Sequence, residues 1–194
     1  MTSPRRRGLL LAPGASAGRD QPALVAIDEA AAGAGYAVER MDFPYRLAGR
    51  RAPDKPPVLV EAVREAAAGL AAAHGVAPGR IAMGGRSMGG RICSMAAAAG
   101  LPCLALVLVS YPLHPPGRPD RLRVDHFPAL TVPCLFVSGT RDAFATPTEL
   151  EGHTTAIPGP VSHVWLDGGD HGLRRRDAAV AVAVASWLAP LGIG

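Results

Sequence analysis

The chain has 194 residues, 48% of them hydrophobic and 19% charged, with a formal net charge of +4. Those proportions exclude a disordered polyampholyte, and 23 Gly with 19 Pro but no triplet period exclude a collagen-like rod. A chain of this length fits one domain around one core, which aromatics at 5% leave to be filled mainly by small aliphatic side chains.

Short apolar runs alternate with longer, Ala-rich segments of helical period. Residues 8–13 read as a buried strand and 21–34 as a helix, with Asp20 available as its N-cap. A second strand covers 36–41. The helix over 55–74 is closed by Gly75, and Val58, Val63 and Leu70 recur in it at helical spacing. A third strand at 80–84 runs into a helix over 88–99 that Gly100 ends. The run 103–109 (CLALVLV) is uniformly apolar, as in a parallel sheet covered on both faces, and 133–138 repeats that signature. A short helix at 147–156, a sixth strand at 162–166 and a closing helix at 177–188 complete the series. Six strands separated by helices predict an α/β fold: a doubly wound, mostly parallel sheet with right-handed crossovers and helices on both faces. The domain is expected to span 8–190, with 1–7 as a basic N-terminal tail. The Pro-rich stretch 111–133 is the one long irregular connection, a kind that often carries function.

Two segments imitate targeting signals. The apolar run after Arg5, Arg6 and Arg7 is about five residues long before Pro13, short of the roughly 7–15 of a secretory signal. Residues 92–117 carry no Asp, Glu, Lys or Arg, but Gly100 and Pro102 cut them into pieces too short to span a bilayer. A soluble, cytoplasmic protein without a membrane partner is expected. The basic residues, all Arg except Lys55, cluster only at 5–7 and 174–176 and lack interleaved aromatics, so no nucleic-acid partner is expected. Cys93, Cys103 and Cys134 lack CxxC spacing and read as free, buried thiols in a reducing compartment. No histidine pairs with a second ligand at metal-binding spacing, so neither a catalytic metal nor another cofactor is expected.

Ligands of open α/β sheets bind at the carboxyl ends of the strands. The third strand leads into Gly84-Gly85-Arg86-Ser87-Met88-Gly89-Gly90-Arg91 and then a helix, which puts G-x-S-x-G in a strand–turn–helix context. A nucleophilic Ser needs a tight turn that exposes its hydroxyl, and flanking glycines remove the Cβ atoms that would collide there. A Gly-rich turn that merely holds a serine would show the same letters; the context and two further residues favour chemistry. Asp142 follows the strand at 133–138 and His171 follows the strand at 162–166, in the chain order Ser, Asp, His of an orienting acid and a base. Asp167 and Asp170 also lie near His171 in sequence, and either could orient it. Two backbone N–H groups are expected to bind an oxyanion: that of Met88 after the nucleophile, and that of Ala15 in the loop Pro13-Gly14-Ala15 after the first strand.

The blocks GGRSMGGR (84–91), DFPY (42–45), SYPLHPPGRP (110–119), SGTRDAF (138–144) and GDHGL (169–173) together resemble the α/β-hydrolase superfamily, in its small branch labelled dienelactone-hydrolase-like. The resemblance covers nearly the whole chain. It implies a minimal hydrolase fold without a separate cap and a triad of Ser87, Asp142 and His171. It also implies that Gly14, Tyr45, Arg86, Tyr111 and Phe144 stand at the substrate pocket. Dienelactone hydrolases proper use a Cys nucleophile where this chain has Ser87, so the implied substrate shifts to another small ester or thioester. The resulting expectation is a carboxylesterase-like serine hydrolase acting on a small molecule, as a monomer or homodimer. The alternatives are an interaction module that keeps the hydrolase fold, or a transacylase or small peptidase.

Overall fold

A computed structural model describes residues 6–191. Its strands are β1 Arg7–Ala12, β2 Tyr36–Arg40, β3 Ile81–Arg86, β4 Leu106–Val109, β5 Cys134–Gly139 and β6 Val161–Leu166. All pair in parallel in one sheet of order β2-β1-β3-β4-β5-β6. The helices are α1 Pro22–Gly33, α2 Pro44–Leu47, α3 Pro56–His74, α4 Met88–Ala98, α5 Pro147–Thr154 and α6 Asp177–Leu188.

Alternate residues of the strands feed two different cores. Leu9 and Leu11 join Leu24 and Ile27 of α1 and Val180, Val184 and Leu188 of α6 on one face. Leu10 and Ala12 join Leu59, Val63 and Leu70 of α3 and Ile92, Cys93 and Ala96 of α4 on the other. With both faces covered, no strand of the interior needs polar alternation, which explains the continuous apolar runs. The strand order reverses between β1 and β3. From β1 the chain passes to α1 on one face, and from β3 to α4 on the opposite face, so the two loops diverge and open a crevice at the carboxyl ends.

Several local expectations are corrected. Arg7 belongs to β1 rather than to a tail: its guanidinium donates to the carbonyls of Ala34, Ala189 and Leu191 and lies 4.4 Å from the Tyr36 ring centroid. Arg6 donates to the His74 carbonyl, while residues 1–5 lie outside the described residues. Asp20 does not cap α1, because it is paired with Arg40 at 2.9 Å; the helix starts at Pro22, whose fixed φ suits a first helical position. In α3 the buried face runs through Leu59, Ala62, Val63, Ala67 and Leu70, and Val58 points outward. The strand expected over 103–109 is shortened to β4, and Cys103 is only partly buried. α2 has only four residues, too few to leave a periodic signal. No helix among the described residues is long and apolar enough to cross a membrane.

The α3 assignment makes a direct prediction. Leu59→Ala should lower unfolding free energy by about 2–5 kcal/mol, whereas Val58→Ala should stay within about 0.5 kcal/mol. Urea unfolding of the two variants measures this, and equal losses would mean the helix is turned otherwise.

Candidate active site

β3 ends in Arg86, and Ser87 follows with φ 51° and ψ −116° before α4 begins at Met88. A non-glycine residue held there costs on the order of 1–3 kcal/mol and persists only where its surroundings impose it. Here the imposing neighbour is the end of β1. A Cβ at Gly85 (φ 147°) would lie 1.9 Å from the Ala12 carbonyl oxygen, and one at Gly89 would lie 2.1 Å from the same atom. Glycine at both positions therefore lets the turn press against β1.

The turn aims the Ser87 hydroxyl at the loop after β6. Ser87 Oγ lies 2.9 Å from His171 Nε2, and His171 Nδ1 lies 2.8 and 3.0 Å from the two Asp142 carboxylate oxygens. Nδ1 faces only acceptors, so it carries the ring proton and donates, which leaves Nε2 to accept from the hydroxyl. Asp142 is 2% exposed, and one of its oxygens also accepts from the Phe144 N–H at 2.8 Å. The Phe144 ring stacks on the His171 imidazole with centroids 3.9 Å apart. Of the two rival acids, Asp167 accepts from Thr140 Oγ1, and Asp170 is exposed with no bond to the imidazole. Ser87, His171 and Asp142 thus form one chain of hydrogen bonds across the ends of β3, β5 and β6.

Beside Ser87 lies a cavity of about 510 Å³. Gly14, Ala15, Arg86, Ser87, Met88, Phe144 and His171 all line it. Met88 is the first residue of α4, so its N–H has no acceptor within the helix. The Gly14 N–H is occupied by Gln21 Oε1 at 3.1 Å, whereas that of Ala15 donates to no group among the described residues. Two pocket expectations are corrected. Tyr45 and Tyr111 are fully buried behind the wall, where their apolar rings pack in the core. Their hydroxyls still brace the lining: Tyr45 donates to the Ala15 carbonyl at 2.6 Å, and Tyr111 to that of Arg123 at 2.7 Å. Arg86 donates to the His171 carbonyl, and burial pushes its pKa down.

Sequence reasoning missed Gln21, Arg91, Pro112 and Arg123 in the lining. Arg91 was readable, since it stands one helical turn after Ser87. Pro112 falls within the block SYPLHPPGRP, whereas Gln21 and Arg123 carry no periodic or motif signal.

A family model described as "Alpha/beta hydrolase domain" matches residues 5–185. The chain belongs to that alpha/beta hydrolase family. Solved structures share its fold. An alpha-beta serine hydrolase homologue from Coxiella burnetii superposes with a TM-score of 0.76 at 16% identity, over 96% of this chain and 88% of that one. Est1E from Butyrivibrio proteoclasticus gives 0.77 at 16% identity over the same shares. A dienelactone hydrolase from Anabaena variabilis gives 0.74 at 21% identity, over 96% of this chain and 87% of that one.

The three thiols of this hydrolase-fold chain are shielded from ionisation. Burial raises the thiol of Cys93, and that of Cys103 to about 11 and of Cys134 to about 12, leaving no ready thiolate. Among the described residues no group of three His, Cys, Asp or Glu could hold a metal ion. His126 bonds to Ser94 Oγ at 2.8 Å, and burial, reinforced by the positive charge of Arg91, lowers its pKa to about 4.

That shift sets a pH dependence. Between pH 6.5 and about 4 the unfolded chain protonates this imidazole while the folded chain keeps it neutral, so its contribution to stability is full above 6.5 and lost on acidification. The urea midpoint of the wild type should therefore fall more steeply through that window than that of His126→Gln. Parallel falls would show that His126 takes up a proton in the fold.

Proposed function

We propose that this protein is a serine hydrolase that cleaves a small ester or thioester through an acyl-enzyme on Ser87. The observation that carries the reading is the unbroken chain from Ser87 Oγ through the His171 imidazole to Asp142, at 2.9 and 2.8 Å. His171 Nε2 takes the hydroxyl proton as Ser87 Oγ attacks the carbonyl carbon. Negative charge then gathers on the carbonyl oxygen, where the free N–H groups of Met88 and Ala15, with the α4 N-terminus behind them, stabilise it. The imidazolium returns its proton to the leaving alkoxide or thiolate. A water molecule, deprotonated by the same Nε2, then attacks the acyl-enzyme, and the imidazolium gives that proton to Ser87 Oγ as the acid departs. Asp142 holds the imidazole tautomer and compensates its transient charge. Phe144 fixes the ring plane by stacking, and Arg86 anchors the backbone of His171.

The pocket bounds the substrate. Pro112 and Arg123 line it from the connection after β4, which among the described residues holds only a short 3-10 turn, Phe127–Ala129. Such a wall does not enclose a long acyl chain, so each further methylene gains less than the ~0.8 kcal/mol of full burial.

Steady-state kinetics on 4-nitrophenyl esters of two to twelve carbons test both points. Acetyl to butyryl esters should be preferred, and Ser87→Ala should lose about 10⁶ in kcat while keeping its fold. Full activity in Ser87→Ala would overturn the nucleophile, and a continuous rise toward twelve carbons would overturn the open pocket.

A further inference from the structure

Three arginines line the cavity: Arg86, Arg91 and Arg123. The first is engaged with the His171 carbonyl. The other two have no comparable partner. Among the described residues neither forms an ion pair with a carboxylate, and Arg91 Nε is buried without a hydrogen-bond acceptor. The Arg123 guanidinium reaches only the Pro112 carbonyl, at 3.5 Å. The one carboxylate in the wall, Asp54, is held at both oxygens by Arg50, at 2.7 and 3.1 Å. Asp125 is exposed and pairs with neither arginine.

Both arginines are fixed by their backbones. Arg91 stands in the first turn of α4, its N–H donating to the Ser87 carbonyl at 3.1 Å. Residues four apart share a helix face about 5–6 Å apart, so this cation lies on the nucleophile's side. The Arg123 N–H donates to the Leu113 carbonyl at 2.9 Å, and its own carbonyl accepts from Tyr111. The guanidinium of Arg123 is pushed below its ordinary pKa by burial and then by the Arg91 charge. Two half-buried like charges without counter-charge are unfavourable in the free protein, and an arriving anion relieves that cost. Guanidinium groups match the oxygens of carboxylates and phosphates in both charge and geometry.

We infer that Arg91 and Arg123 form a subsite for an anionic group, a carboxylate or a phosphate, carried by the ester whose carbonyl is offered to Ser87. The inference rests on the esterase reading and names its substrate class. Arg86, the arginine that the sequence put forward, instead positions His171.

Matched ester pairs test it at low ionic strength. One pair is 4-acetoxybenzoate against phenyl acetate, with the charge on the leaving group. The other is mono-4-nitrophenyl adipate against 4-nitrophenyl hexanoate, with the charge on the acyl group. In at least one pair the anionic ester should have the higher kcat/KM by about tenfold, the size of one charge-assisted hydrogen bond. That ratio should fall to near one when Arg91→Gln and Arg123→Gln are combined, and persist in Arg121→Gln, which removes an exposed charge outside the cavity. Ratios near one for both pairs in the wild type, or a ratio that survives the double substitution, would overturn the subsite. Calorimetric titration with adipate and with inorganic phosphate reads the same subsite without turnover. Binding of either one, weakened in Arg123→Gln, supports the subsite and tells carboxylate from phosphate; binding of neither overturns it. If neither the anionic nor the neutral ester of either pair is cleaved the esterase reading fails, and the titration alone still decides the anion site.

Discussion

The carbonyl oxygen of Ala12 comes so close to the turn around Ser87 that positions 85 and 89 have room only for hydrogen atoms. That contact joins the end of β1 to the end of β3, the pair of strands between which the sheet order reverses. Because the two strands meet there, the Ala15 loop and the first turn of α4 stand on either side of the Ser87 hydroxyl. The same pressure holds Ser87 at a positive φ that an unsupported serine would leave. The geometry of the Ser87 hydroxyl and the free N–H donors is thus one consequence of backbone packing. A methyl group at either glycine would force the strand end and the turn apart.

The second constraint comes from the opposite side of the sheet. β5 and β6 each end in a loop that supplies one residue to the hydrogen-bond chain, Asp142 and His171. A Cβ at Gly139 would lie 2.1 Å from the Gly169 carbonyl oxygen, and the Arg141 N–H donates to that carbonyl at 2.8 Å. Asp142 and His171 are therefore held by loops that are locked to each other. Phe144 then limits rotation of the imidazole from one face.

The sequence carried the elements and the chemistry-bearing residues where a local rule applied. Strand type followed from uniform apolar runs such as 103–109, and the ends of α3 and α4 followed from Gly75 and Gly100. The glycines around Ser87 have a steric role that the close approach of the Ala12 carbonyl bears out at 85 and 89. Other features were illegible because they depend on contacts across the fold. Nothing local says that Asp20 is diverted to Arg40, or that Tyr45 and Tyr111 sit behind the wall with only their hydroxyls reaching it. The turn of α3 by one residue, from Val58 to Leu59, is likewise decided by packing against the sheet. The cavity's arginines show the limit most plainly. Arg86 lies nearest the motif's serine and is tied to backbone, while Arg123 comes from a stretch with no periodicity at all.

Chemistry at Ser87 is the claim on which the functional account stands, and peptide mapping after rapid quenching tests it most directly. The protein is mixed with excess 4-nitrophenyl acetate, stopped in acid within the first turnovers, digested and analysed by mass spectrometry. An acetyl group is expected on the peptide containing Ser87, localised to that residue and appearing at the rate of the initial nitrophenolate release. Ester turnover with no adduct, or with the acetyl group on another side chain, would contradict that claim.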